Sequence, residues 1–179
     1  MLGLLRNFFK GDETAQRDAR LIYDALMTQA RDRRFYGPNR IPDSLEGRLE
    51  ALVLHIAPVM SALAEKGEQG RLLSQALFDT MRADFDTALR EQGYSDSGVK
   101  RRIKPMIQRF YAGLDAYSKS LSEADDEALI NAISTDLEDI PRDYADGLAR
   151  YMRTFRESLT PLSLGDVASG RLTFPPLPL

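Results

Sequence analysis

The sequence predicts an all-α fold, a single-domain bundle of about six helices around a buried central helix with an extended C-terminal strap. Residues 51–64 are apolar on every side except at His55 and Ser61, a pattern typical of a helix in the middle of a bundle. The other candidate helices each carry one apolar stripe and one charged face. No segment shows the alternating period of a strand.

Composition limits the class of protein. The 179 residues suit one domain over residues 1–179. The absence of cysteine excludes disulfides and thiolate metal sites and favours a reducing compartment. The net charge of −3 favours neither nucleic acid nor an anionic membrane as a partner of the whole surface. We therefore expect a cytoplasmic protein that does not bind DNA.

The central helix has recognisable ends. Asp43 and Glu46 have the spacing of a capping box, and Gly67 can supply a left-handed stop. Pro58 is expected to kink or break the helix. Its apolar stretch of fourteen residues is too short to span a bilayer, so we predict a buried core helix.

The remaining helices are amphipathic. They are predicted over about residues 13–31, 71–92, 95–121, 122–133 and 141–160. Pro105 is expected either to kink the fourth helix or to lie one turn after its start. Residues 160–179 are predicted to be a non-helical tail, because they contain several glycines and prolines; their apolar residues indicate a strap lying across the bundle.

The loop before the central helix is a candidate partner-binding segment. Arg33, Arg34, Phe35 and Tyr36 place aromatic rings among arginines, which could stack on single-stranded bases or grip a protein. Alternatively, the two aromatic residues close the end of the bundle while the arginines remain in water.

Two charge runs are further candidates. Lys100, Arg101, Arg102 and Lys104 belong to a stretch of residues 100–109 without an acid, whereas residues 123–139 hold seven acids and no base. Each run could bind a partner, or could be the solvated face of a helix.

Asp84 lies at the margin of the apolar face of its helix. Such an acid is usually an edge residue paired with a nearby lysine or arginine, and less often a functional group. Asp84 is therefore a candidate partner contact.

The first ten residues form a short amphipathic segment. Leu4, Leu5, Phe8 and Phe9 recur at helical spacing, but the segment is too short and interrupted for a signal peptide. It resembles a weak interfacial anchor that would attach the protein reversibly to a membrane surface. The alternative is that it packs on its own bundle.

A search for catalytic chemistry finds no constellation. His55 is the only histidine and lies inside the apolar run, where a hydrogen-bonded core histidine is the simpler interpretation. There is no glycine-rich phosphate loop and no nucleophile elbow. We predict no catalytic residue, metal or cofactor; an enzyme would have to use His55 or Asp84.

A series of short motifs resembles the ubiquinol-cytochrome c chaperone family. The densest block runs from Ser74 to Tyr117 and contains QALFDTM at residues 75–81, Asp84, LREQG at residues 89–93, Asp96, Val99, Lys104, Met106 and Phe110-Tyr111. Further matches are Tyr23, residues 29–31, 35–36, 41–44, 47–48 and 54–55, and the ending at residues 170–176. Tyr94 and Ala112 depart from the usual pattern.

The resemblance implies a non-enzymatic assembly factor for respiratory complex III. Its partner would be newly made cytochrome b or another complex III subunit. The ribosome is a second partner that the family implies. The rival class is a ribosome- or RNA-binding adaptor that uses the basic and aromatic segments, and its binding would depend steeply on salt.

Overall fold

We describe a computed structural model of the protein, which places residues 2–91, 93–122, 126–137 and 140–177, with the backbone alone for residues 2–12. The described chain forms seven α-helices and one 3-10 helix. They are α1 Leu2–Ala30, the 3-10 helix Arg33–Phe35, α2 Leu45–Ala64, α3 Gly67–Glu91, α4 Asp96–Ser122, α5 Asp126–Asp136, α6 Arg142–Leu159 and α7 Leu164–Ala168. The all-α prediction is confirmed, and no β-strand occurs in this described part.

The central helix α2 is buried along almost its whole length, as predicted. Its N-cap is Ser44, whose Oγ accepts the N–H of Gly47 at 3.1 Å. The prediction that Asp43 caps the helix was wrong by one residue. Asp43 instead pairs with Arg48 at 2.7 Å, one turn into the helix. Gly67, with φ of 70°, supplies the left-handed position that separates α2 from α3.

Pro58 does not break α2, which continues through it for a total of 20 residues. The helix is therefore long enough to cross a membrane, with a mean hydropathy of 1.3 over its most apolar window. The argument from a length of fourteen residues was thus wrong. Burial distinguishes a core helix from a membrane span here, because 78% of that window lies inside the protein, as in the core helix of a soluble protein.

The other helices surround α2. α1 packs against α2 and α3, α4 packs against α2 and α5, and α6 packs against α2 and α5. The amphipathic character predicted for α4 is confirmed, since Val99, Phe110, Tyr117 and Leu121 are buried on it. Pro105 lies well inside this helix, more than two turns after its start at Asp96.

Several helix boundaries differ from the predicted ones; α3, for example, begins at Gly67 and not at residue 71. α1 begins at Leu2 and not at residue 13, so its backbone includes the amphipathic N-terminal segment. Ser122 does not cap α5; it is the last residue of α4, where its hydroxyl donates to the carbonyl of Lys119 at 2.6 Å. Pro141 opens α6 as predicted, at the N-cap position.

The C-terminal segment combines a short helix with an extended strap. The prediction that residues 160–179 contain no helix was wrong, because a capping box between Ser163 and Asp166 starts the five-residue α7. Beyond it, residues 171–177 have no regular secondary structure. Their apolar side chains Leu172, Phe174 and Leu177 pack against the core, which confirms the strap.

The burial of α2 leads to a first prediction. Leu54 is 1% exposed, so Leu54→Ala should lower the free energy of unfolding by ~2 to 5 kcal/mol. Leu72→Ala is the matched control, because Leu72 is 52% exposed and should change stability by less than about 0.5 kcal/mol. Urea denaturation measures both. Equal losses in the two variants would contradict the central position of α2.

Candidate functional site

The loop between α1 and α2 is ordered by its own polar residues. Asp32 caps the 3-10 helix by accepting the main-chain N–H of Arg34 at 2.9 Å, and it also pairs with the Arg34 guanidinium at 2.7 Å. These hydrogen bonds from Arg34 lower the pKa of Asp32 to about 2. Arg33 and Arg34 remain exposed, as expected for either interpretation of the loop.

Phe35 points into the core and not into solvent. It is 1% exposed, and its ring makes edge contacts with His55 and Tyr151 at centroid distances of 5.1 and 5.6 Å. Phe35 is therefore removed from the predicted contact surface, because its side chain is inaccessible. The interpretation that the aromatic residues close the end of the bundle is confirmed for this residue.

Tyr36 is half-buried and faces the opposite way. Its hydroxyl donates to the carbonyl of Ala30 at 2.5 Å, and the guanidinium of Arg48 lies 5.6 Å from its ring centroid. Burial raises the pKa of Tyr36 to about 12. Tyr36 is thus neutral and held in place between the end of α1 and the start of α2.

Tyr36 borders an apolar cleft of about 160 Å³. One side is built by the end of α1, the loop and the start of α2, and the other side by α3 and α4. Its lining residues are Met27, Ala30, Arg31, Tyr36, Leu45, Arg48, Leu49, Leu52, Asp84, Phe85, Ala88, Leu89 and Met106. Most of these side chains are apolar, and the charged ones are two arginines and one aspartate.

Asp84 is the acid of this cleft. It accepts a hydrogen bond from the hydroxyl of the buried Tyr23 at 2.8 Å, and Arg20 lies 3.9 Å from its other oxygen. The expectation of an edge acid paired with a nearby arginine is confirmed. Burial, together with the hydrogen bond to Asp84, raises the pKa of Tyr23. The structure therefore brings Asp84 and Tyr36 to the same cleft, although they are far apart in sequence.

The basic run lies on the first part of α4. Lys100, Arg101, Arg102 and Lys104 are all exposed, and the guanidinium of Arg102 lies 4.3 Å from the ring centroid of Tyr94. α4 also contributes Met106 to the cleft. The cleft and the basic run thus share one helix.

His55 organises the interior behind the cleft. Its Nδ1 lies 2.6 Å from the carbonyl of Ala51 and therefore carries the proton, since a carbonyl can only accept. Its Nε2 accepts from the hydroxyl of Tyr151 at 3.0 Å, and that hydroxyl also accepts from Gln29 at 3.1 Å. Phe174 of the strap stacks edge-on at 6.1 Å. The prediction of a hydrogen-bonded core histidine is confirmed.

Sequence reasoning did not identify the partners of His55. Gln29 and Tyr151 belong to helices whose apolar stripes are visible in the sequence, but no local pattern shows that their polar groups meet. The membrane-proximal candidates Leu4, Leu5, Phe8 and Phe9 lie outside the residues whose side chains the structure describes.

Burial of His55 leads to a pH-dependent prediction. Desolvation lowers its pKa from 6.5 to about 4. At pH values between these two, the imidazole is therefore protonated in the unfolded chain and neutral in the folded protein. Stability is complete above pH 6.5 and falls as the pH decreases toward 4. Between pH 7 and pH 5 the wild type should lose roughly 1 to 2 kcal/mol from this group. His55→Gln should be ~1 to 3 kcal/mol less stable at pH 7 and should lack this acid-dependent loss.

Urea denaturation at both pH values measures the effect. Tyr151→Phe is the matched control, because it removes the hydroxyl that His55 accepts from but keeps the titratable ring. It should be destabilised at pH 7 and should still lose stability on acidification. The same pH dependence in His55→Gln and wild type would contradict this account.

Comparisons with known proteins agree with the resemblance found in the sequence. The family pattern described as ubiquinol-cytochrome C chaperone matches residues 39–174. The crystal structure of the Cbp3 homolog from Brucella abortus superposes with a TM-score of 0.77 at 29% sequence identity, covering 98% of this chain and 96% of that one. A search of curated proteins finds no match. The family match over most of the chain and the shared helical fold show that this protein belongs to the ubiquinol-cytochrome C chaperone family, the assembly chaperones of respiratory complex III.

Proposed function

We propose that this protein binds newly made cytochrome b during the assembly of complex III, and that it does so through the apolar cleft by contacts that involve no catalysis. The observation that carries the proposal is the cleft itself, an apolar depression at the surface of a protein from a chaperone family. Exposed apolar surface of this kind usually marks an interaction site.

The chemistry of the cleft suits a segment of a membrane protein. A newly made transmembrane segment carries apolar side chains that are unfavourable in water, and the cleft offers them Met27, Leu45 and Met106. Methionine side chains adapt to differently shaped partners, as is useful for a transient client. Arg31 at the cleft is positioned to meet polar or acidic groups at the end of such a segment, whereas Arg48 is already paired with Asp43.

The basic run of α4 has a different proposed role. Lys100, Arg101 and Lys104 are exposed charges, which increase association rates with an acidic surface more than they increase affinity. We assign them to orientation on a partner such as the ribosome. The rival function of an RNA adaptor loses support, because Phe35 is buried and cannot stack on a base.

Leu45 gives the sharpest test of the cleft. It lines the cleft and is 47% exposed, so Leu45→Ser should reduce the capture of cytochrome b about three- to tenfold through the lost apolar burial. Leu72→Ser is the matched control, because Leu72 is similarly exposed on α3 but does not line the cleft. The measurement is co-purification of cytochrome b with the tagged full-length chain from detergent-solubilised membranes.

Circular dichroism of both variants verifies that they fold. An equal effect of the two substitutions, or none at Leu45, would argue against the cleft. The assay is repeated at low and high salt. Binding through the cleft should change little, whereas an adaptor that binds ribosomal RNA through its basic residues should lose affinity steeply. If the affinity for cytochrome b itself fell steeply at high salt, electrostatic binding would be favoured over the proposed apolar contact.

The N-terminal segment is proposed as a reversible membrane contact, which would place the chaperone at the cytoplasmic face of the inner membrane, beside its client. Leu4, Leu5, Phe8 and Phe9 could each contribute roughly 1.5 to 3 kcal/mol if fully buried, before the cost of ordering the chain. Deletion of residues 1–10 should abolish co-sedimentation with anionic liposomes and leave Tm within about two degrees. A clear fall in Tm, with no liposome binding by the full chain, would show that the segment packs on the bundle.

A further inference from the structure

A buried group of acids lies beneath Arg109, at the junction of α2, α4 and α5. Glu50 on α2 is 0% exposed and accepts a hydrogen bond from Nε of Arg109. Nη2 of the same arginine donates to the main-chain carbonyl of Asp136 at 2.9 Å. The side chain of Arg109 is 42% exposed, so the guanidinium covers the acids on the solvent side.

Three oxygen atoms in this group are buried and have no hydrogen bond of ordinary geometry, although the hydroxyl of Tyr117 lies close enough to both acids to influence their pKa values. The three atoms are Oε2 of Glu50, Oδ2 of Asp136 and the hydroxyl of Tyr117. The two carboxylate oxygens lie 3.8 and 3.6 Å from the position that a Cβ of Gly113 would take. A Cβ there would also lie 3.1 Å from Cγ1 of Val53, so glycine favours the close packing of α4 on α2 beside both acids.

The group has fewer hydrogen-bond donors than acceptors. Tyr117 has one hydroxyl hydrogen, which can satisfy only one of the two carboxylate oxygens. With both acids ionised, the group would also hold two negative charges against the single positive charge of Arg109. A buried charge without a partner is unfavourable, and buried groups of this kind usually take up a proton instead.

We propose that Asp136 binds a proton in the folded protein at pH values where exposed carboxylic acids are ionised, and that Asp136, Tyr117 and Glu50 form a proton-binding site joining three helices. The proton stays on Oδ2 of Asp136 because Glu50 already has the ion pair with Arg109. Protonated Asp136 then supplies the missing donor, and the group of two acids and one arginine becomes neutral.

The surroundings favour this protonation state. The charged and titratable groups that face the site are Glu46 and Glu50 from α2, Arg109 and Tyr117 from α4, and Asp136 from α5. Burial is the largest cause that raises the pKa of Asp136, against smaller opposing effects from Tyr117 and Arg109. Burial likewise raises the pKa of Glu50, although hydrogen bonding to Arg109 opposes the shift.

The protonation of Asp136 determines the direction in which stability changes with pH. Because the pKa of Asp136 is higher in the folded protein than in the unfolded chain, the bound proton stabilises the fold fully at low pH. This contribution is lost as the pH rises through the folded pKa. The direction is opposite to that expected from His55, whose protonation in the unfolded chain destabilises the protein in acid.

The test compares three variants of the full chain across pH 3 to 9, a range that begins below the ordinary aspartate pKa of about 3.9. Asp136→Asn keeps an uncharged donor at every pH, so its Tm should rise relative to that of the wild type as the pH increases through the folded pKa of Asp136; the His55 titration is common to both proteins and cancels in this difference. Glu50→Gln removes the partner of Arg109 and should lower Tm at every pH. Asp115→Asn, at an exposed acid of α4, is the control and should follow the wild type.

Carbon-13 NMR of the Asp136 carboxyl group in the wild type provides a measurement that does not depend on a variant folding. We expect its titration midpoint to lie above the ordinary aspartate value of about 3.9. A midpoint at or below that value would overturn the proposal. So would a constant difference in Tm between Asp136→Asn and the wild type across the same pH range.

Discussion

The fold depends on one buried imidazole that must remain neutral. His55 lies in the middle of α2, and both of its ring nitrogens are hydrogen-bonded inside the protein. Through Tyr151 it connects to α6 and to Gln29 of α1, and its ring contacts Phe35 of the loop and Phe174 of the strap. Five segments of the chain are therefore positioned by one polar side chain, and an added proton would leave a charge without a partner among them.

The candidate cleft follows from this arrangement. Phe35 is held against His55, so the next residue, Tyr36, is turned outward and forms the cleft wall. The opposite wall belongs to the α3–α4 hairpin. Near its tip, Leu89 and Val99 are buried but lie outside the main hydrophobic cluster. Phe85, which also lines this wall, belongs to the main cluster, so the hairpin is anchored in the core there, and only its tip should open at a lower cost than the bundle.

Periodicity alone predicted most of the fold. The apolar run of α2, the stripes of α4 and α6 and the opening of α6 by Pro141 are all local features, and local patterns determine helices. The errors also have local causes. Asp43 and Ser44 are both good caps, and the choice between them depends on Arg48, which holds Asp43 in an ion pair.

The candidate site was less predictable because it depends on contacts between distant segments. Asp84 and Tyr36 could each be selected as candidates, but only the packing of α3 against α1 brings them to one cleft. The burial of Glu50 is not visible in the sequence, because Glu50 directly precedes the apolar run, where an acid is an ordinary flanking charge. Its burial comes from the close approach of α4 at Gly113, which a helical pattern does not reveal.

The hydrogen bond between His55 and Tyr151 also bears on the order of events during folding, because the two residues are 96 positions apart. Helices form from local contacts in microseconds, whereas contacts between distant segments require a large loop to close first. The early collapsed chain would therefore contain most of its helices while the imidazole still bonds to water. Exclusion of that water would be a late step, coupled to the docking of α6 and the strap.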